Sequence, residues 1–256
     1  MLNEMYEVRE LFKVGDLQFI AGPCAVESRE QIEITASFLS SLGVRILRGG
    51  AYKPRTSPDT FQGLGEEGLK IMKNAASKNN MLIVTEVMNT EDIEVVSKYA
   101  DILQIGSRNC QNFPLLKEAG KTGKPILLKR GFGNTLEEFY QASRYISKTG
   151  NEEIILVERG IRTFETSTRF TLDVAAIPLL KSKVNYPIIS DPSHPAGIRE
   201  LVSPLALASV AAGADGLMVE THPDPDNALS DSLQQLTFEE FETLFKKSRR
   251  LKQAMV

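Results

Sequence analysis

Eight short runs of apolar and β-branched residues recur along this chain, and their spacing limits the folds open to it more than any other feature. They occupy residues 17–21, 44–47, 82–85, 102–105, 126–128, 154–157, 187–190 and 216–219. Each is apolar on both faces, as a parallel strand buried between a core and a layer of helices must be. The stretches between them carry helix signals. Ser28 with Gln31, Thr135 with Glu138 and Thr237 with Glu240 have capping-box spacing. Ile32, Ala36 and Leu39 share a helical face, as do Ile93, Val96 and Ala100, and Phe139, Ala142 and Ile146. Eight strand–helix units in 256 residues match the size of a closed α/β structure, the (β/α)8 TIM barrel. An open doubly wound sheet usually stops sooner and opens on a glycine-rich turn; Gly22-Pro23-Cys24 lacks the G-x-G-x-x-G spacing. The expected organisation is a single domain, with a barrel over 17–256 and an N-terminal extension over 1–16 laid as a short lid across the barrel floor.

Composition narrows the function. With 42% hydrophobic and 25% charged residues the chain can bury one large core. A net charge of −3 and a pI near 5.6 give no bulk attraction for nucleic acid or an anionic membrane surface. Any anion site must therefore be local. Glu4, Glu7, Glu10 and Asp16 break the basic-then-apolar plan of a secretory signal, and no apolar run is long enough to span a bilayer, so a soluble cytoplasmic protein is expected. Cys24 and Cys110 are too few for a disulfide framework. Cys110 reads as a packing residue.

In a barrel, the residues just past each strand share one mouth, where chemistry is placed. Two constellations stand out there. Cys24 follows the first strand, His194 the seventh and Glu220 the eighth, with Asp231 in the loop beyond; strands 7, 8 and 1 become neighbours on closure. Thiolate, imidazole and carboxylate donors suit a borderline divalent ion such as Mn, Fe, Co or Zn. Singly, each of these residues is better explained as packing, a cap or a solvated charge, and only their adjacency in a closed barrel argues for a metal. His222 is a rival ligand, although Pro223, Asp224 and Pro225 beside it equally suit a rigid surface loop.

The second constellation is basic: Arg48, Lys53, Arg55, Arg108, Lys129 and Arg159. So many cations at one rim of an acidic protein would repel one another unless anions fill the mouth, and guanidinium forks suit phosphate and carboxylate. The 48–65 loop is long and holds four Gly and two Pro, which fits a shaped binding loop, and Thr56 and Ser57 add hydroxyl donors.

The motifs GPCAVES (22–28), RGGAYKPRTS (48–57), QIGSRN (104–109), LLKRG (127–131), ERGIRTFE (158–165), SDPSHPAG (190–197) and HPDPDNALSD, ending at Asp231, fall at strand ends. Through them the chain resembles the 3-deoxy-D-arabino-heptulosonate 7-phosphate (DAHP) synthases of the type I beta branch, over essentially residues 17–250. The resemblance implies a condensation of phosphoenolpyruvate with erythrose 4-phosphate and water, giving DAHP and phosphate. That reaction opens the shikimate route to chorismate and the aromatic amino acids. It implies Cys24, His194, Glu220 and Asp231 as metal ligands. Arg48, Lys53, Arg108, Lys129 and Arg159 become the phosphoenolpyruvate site, and Lys53, Pro54, Arg55, Thr56 and Ser57 the grip on erythrose 4-phosphate. Lys53 or His194 is then placed to deliver a proton, and Glu86 to orient water. Relatives are commonly tetramers, so a homotetramer is expected. Many carry an added regulatory or chorismate mutase domain; this chain has room for neither, and no feedback inhibition is expected of it alone.

Three alternatives stand beside this reading. The sister 3-deoxy-D-manno-octulosonate 8-phosphate synthases use arabinose 5-phosphate and show Ala-Asn-Arg after the loop lysine, where this chain has Pro54-Arg55-Thr56; their metal-independent members carry Asn at the position of Cys24. A Schiff-base aldolase would use Lys129 as its nucleophile. A non-catalytic phosphosugar-binding barrel would lack a ligand residue, and none is missing.

Overall fold

The computed structural model describes residues 8–13, 15–53 and 59–255. Its centre is a closed parallel barrel whose strands follow chain order. These are β1 (Gln18–Gly22), β2 (Ile46–Arg48), β3 (Leu82–Glu86), β4 (Ile102–Ile105), β5 (Ile126–Lys129), β6 (Ile154–Glu158), β7 (Ile188–Ser190) and β8 (Gly216–Glu220). β8 returns to β1 in a continuous register from Gln18↔Gly216 to Gly22↔Glu220. The expected (β/α)8 barrel is thus the fold observed. Strand starts lie within two residues of the apolar runs. Several strands extend further at the carboxyl end, to Gly22, Arg48, Glu86, Lys129, Glu158 and Glu220. The backbone ladder does not depend on side-chain polarity, so pairing continues past the last apolar residue to the first functional one.

The outer layer comprises α2 (Arg29–Ser41), α3 (Glu66–Lys78), α4 (Ile93–Tyr99), α5 (Phe113–Lys121), α6 (Leu136–Ser147), α7 (Ala176–Lys183), α9 (Arg199–Ala211) and α10 (Phe238–Ala254), with single-turn helices α1 (Val8–Leu11) before β1 and α8 (Ser193–Ala196) after β7. Thr135 and Thr237 form complete capping boxes at α6 and α10. Ser28 caps α2 through the Gln31 amide, but the Gln31 side chain turns instead to the Glu27 N–H and the Ala25 carbonyl, tying the helix to the β1 loop. No described helix is long and apolar enough to cross a membrane.

Alternation along the strands separates two apolar cores. Outward residues such as Phe19, Ala21, Leu47, Leu103, Leu128 and Leu156 pack against the helices. Inward residues Ile20, Ile46, Val84, Ile102, Leu127, Ile155, Val157, Ile189 and Met218 fill the barrel, joined by Val8, Leu11 and Phe12. The one-turn α1, too short to stand alone, is therefore held by side chains that close the barrel floor. Full burial of one such side chain contributes about 1.5–3 kcal/mol.

Candidate active site

Strand parity selects which tip residues face the mouth. Two residues beyond an inward apolar side chain, the chain again points inward. Beyond Ile20, Ile46, Val84, Ile102, Leu127, Val157, Ile189 and Met218 this rule gives Gly22, Arg48, Glu86, Gln104, Lys129, Arg159, Asp191 and Glu220. Arg48, Glu86, Gln104, Lys129 and Arg159, with Arg108 and His194, line a cavity of about 390 Å³ at this end. Residues of the other parity do different work. Arg130 and Glu158 are buried outside the cavity and pair at 2.8 Å, and Arg130 also holds Asp173 at 2.8 Å. This pins the loops after β5 and β6.

Gly22 takes no space at its level of the barrel; a Cβ there would lie 2.1 Å from the Arg48 carbonyl oxygen. Arg48 and Glu220, on the strands flanking it, meet at 2.7 Å. Gly106 serves Glu86 in the same way, since a Cβ would fall 2.0 Å from Glu86 Oε1. Glu86 Oε2 accepts from Gln104 Nε2 at 3.3 Å.

The ligand atoms of Cys24, Glu220 and Asp231 all lie within 4.8 Å of one another. His194 stands beside this trio, with Nε2 3.7 Å from Glu220 Oε1. Its Nδ1 is 2.7 Å from Asp191 Oδ2. The contact with Asp191 is close without hydrogen-bond alignment, and Nε2 is the ring nitrogen on the side of the trio. Burial lowers the His194 pKa against the pull of Asp191. Burial also pushes the Cys24 thiol up to about 12, with Glu220 adding to the effect and Lys53 opposing it. Glu220 and Asp231 stay below their usual values: burial works against them, but His194 with Arg48, and His194 with Arg169, outweigh it. A buried soft sulfur beside two carboxylates and an imidazole fits a borderline divalent cation, which would convert the thiol to thiolate. His222 points elsewhere: Nδ1 accepts from the Asp224 N–H at 3.0 Å and Nε2 lies 3.4 Å from Glu27.

The basic group divides by partner. Lys129 Nζ is 2.6 Å from Asp191, and Arg48 is neutralised by Glu220, although its Nε is a buried donor without an acceptor. Lys53 Nζ donates to the Cys24 carbonyl at 3.0 Å and to its sulfur at 3.1 Å. Arg108, Arg159 and Arg162 have no ion-pair partner among the described residues. Arg159 is 3% exposed, and its pKa falls to about 10, through burial first and then through Arg169 and Arg108, while Asp191 opposes the fall. Its guanidinium sits 4.1 Å from the Phe170 ring centre and 5.0 Å from that of Phe132; the two rings stack. Pro54, Arg55, Thr56 and Ser57 lie outside the described residues. Sequence reading overlooked Asp191, which holds both Lys129 and His194, and the Phe132–Phe170 pair. Parity would have found Asp191; nothing local in sequence marks the rings.

Comparison with known proteins gives this geometry a family. A model described as DAHP synthetase I family matches residues 10–256. A phospho-2-dehydro-3-deoxyheptonate aldolase of Thermotoga maritima is 55% identical over 245 residues, which is 95% of this chain and 72% of that one. The chain belongs to the DAHP synthetase I family. A crystal structure of the Thermotoga maritima DAHP synthase superposes with a TM-score of 0.93 over 94% of this chain and 71% of that chain. A truncated form of the synthase from the same organism is 51% identical, with a TM-score of 0.89 over 94% of this chain and 88% of that chain. A 2-dehydro-3-deoxyphosphooctonate aldolase of Rhodopseudomonas palustris is 33% identical over 248 residues, 90% of this chain and 86% of that one. Within the family, this chain stands nearer the seven-carbon product than the eight-carbon one. Cys110, the other thiol, is buried in the helix-side core, and burial raises it to about 12.

Proposed function

We propose that the chain is a metal-dependent DAHP synthase, joining phosphoenolpyruvate to erythrose 4-phosphate with release of phosphate. The observation that carries this reading is the unpaired Arg108–Arg159 group, which shares one cavity with His194 and Asp231. Guanidinium charge without a carboxylate partner among the described residues, buried at Arg159 and open to solvent at Arg108, is complementary to a substrate bearing both phosphate and carboxylate. The 55% identity to a heptonate aldolase, against 33% to an octonate aldolase, supports the four-carbon acceptor. Pro54, Arg55, Thr56 and Ser57, with Lys53, would grip its phosphate; that assignment stands on the sequence motif.

Cys24, His194, Glu220 and Asp231 would hold the divalent ion, Mn, Fe, Co or Zn. When bound, the ion supplies Lewis-acid polarisation of the aldehyde. The chain's own groups do the rest. Arg108, Arg159, Lys129 and Arg48 orient the enol phosphate so that C3 can form a bond to the aldehyde carbon. The carbonyl oxygen takes a proton, for which Lys53 and His194 are the candidates. Water adds at C2, with Glu86 positioned to orient it and accept its proton, and the C2–O bond to phosphate then breaks. The Lys129–Asp191 pair at 2.6 Å disfavours the Schiff-base alternative, because it commits the amine to donation rather than attack. We further take the chain as an N-terminal extension over 1–16 and a catalytic barrel over 17–256, acting as a cytoplasmic homotetramer.

The test is phosphate release from phosphoenolpyruvate with erythrose 4-phosphate or arabinose 5-phosphate, before and after chelation. Turnover should favour the four-carbon sugar, vanish on chelation and return with a divalent ion. Full activity in chelator, or preference for arabinose 5-phosphate, would overturn the proposal.

A further inference from the structure

Between Glu220 and α10 the chain makes a closed excursion. Leu236 N–H returns to the Glu220 carbonyl at 2.9 Å, and Thr221 bridges to Leu236. Two residues before this closure stands Gln234, 1% exposed and therefore required to satisfy every polar atom it carries. Its Nε2 donates to Glu220 Oε2 at 2.6 Å and reaches Asp231 Oδ2 at 3.5 Å. Its Oε1 accepts from Arg169 Nη1 at 2.9 Å, and that same nitrogen lies 3.3 Å from Asp231 Oδ1. The Gln234 N–H also donates to the Asp231 carbonyl at 3.2 Å, closing a turn in which Asp231 adopts a left-handed backbone, φ 49°. Glu220 is thereby divided: Oε1 faces Arg48 and His194, and Oε2 is held by the amide.

We propose that Gln234, clasped by Arg169, is a positioning residue that sets the two carboxylates of the metal site. A neutral amide is suited to this place. A carboxylate there would repel both acids, and an ammonium would compete with the metal for them. The amide can donate toward both acids while its oxygen is fixed from the other side. The inference deepens the metal reading above and rests on it.

The sign of one substitution separates positioning from simple charge. Arg169→Met removes a cation from beside Asp231, so Coulomb attraction alone predicts tighter binding of a divalent ion. Loss of the clasp predicts weaker binding. The experiment measures Co2+ affinity by chelator competition, together with the visible Co2+ bands, in the full chain and in Gln234→Met and Arg169→Met. Loss of such an outer hydrogen bond weakens metal binding about 10–100-fold. That range is expected for Gln234→Met, with a smaller loss for Arg169→Met, and both should show shifted bands. If Gln234→Met fails to fold, the sign for Arg169→Met decides alone. Unchanged affinity and bands in a folded Gln234→Met, or tighter binding by Arg169→Met, would overturn the inference and leave the metal reading standing. A wild-type chain that binds no Co2+ would overturn both.

Discussion

Single residues at the barrel mouth are defined as much by what their neighbours lack as by what they carry. Gly106 is an instance. It admits the Glu86 carboxylate into space that a Cβ would occupy at 2.0 Å from Oε1. The clash falls on the far end of a side chain, so Gly106→Ala should be relieved by swinging Glu86 aside rather than by moving the backbone. Turnover is expected to drop by about tenfold or more, in line with loss of a proton-handling group, while the melting temperature stays near that of wild type. Steady-state kinetics beside a thermal melt checks this. An unchanged kcat would remove Glu86 from the reaction.

At the scale of elements, the barrel was legible because its strands are buried on both faces and announce themselves as apolar runs. The helices were legible from their stripes. The extension was legible as a cover for the barrel floor, but α1 within it was not, because it is one turn long and has no periodicity to detect; Val8, Leu11 and Phe12 acquire meaning only once the barrel interior exists to receive them. The site was half legible. Position past a strand identified Arg48, Lys129, Arg159 and Glu220; the adjacent Arg130 and Glu158 have the other parity, which sends them to the helix side as a buried pair. Asp191 escaped notice although the same parity places it inward. Gln234 escaped because its partners, Glu220, Asp231 and Arg169, converge only through the closure of a loop. Parity also makes the two barrel ends independent. Leu11, 3% exposed, plugs the floor and lies in the interior apolar cluster rather than the mouth cavity. Leu11→Ala should cost about 2–5 kcal/mol of stability, as other large-to-small core changes do. Denaturant unfolding would read that loss, and kcat measured well below the unfolding midpoint should match wild type. A parallel fall in kcat would mean that the floor shapes the mouth.

The whole molecule carries a contradiction of sign that its barrel resolves. Its net charge is −3, yet Arg108, Arg159 and Arg162 converge at one end without carboxylate partners among the described residues. Two stacked rings, Phe132 and Phe170, take the faces of these guanidiniums, with Arg108 5.6 Å and Arg162 5.2 Å from the Phe132 ring centre. Cation–π contacts of this kind stabilise by about 0.5–2 kcal/mol each. They hold like charges together without neutralising them, as paired carboxylates would. An anionic substrate approaching an acidic surface thus meets attraction only near the mouth, over a range set by the Debye length, about 10 Å at 0.1 M salt. Raising ionic strength should therefore raise KM for phosphoenolpyruvate while leaving kcat almost unchanged. Screening weakens capture from solution more than contacts already desolvated inside the cavity. Arg159→Gln removes a buried member of the unpaired group and should flatten this dependence as well as raise KM. Initial rates across a salt series, in wild type and Arg159→Gln, give both slopes. Parallel slopes would mean that the focusing field arises elsewhere on the molecule.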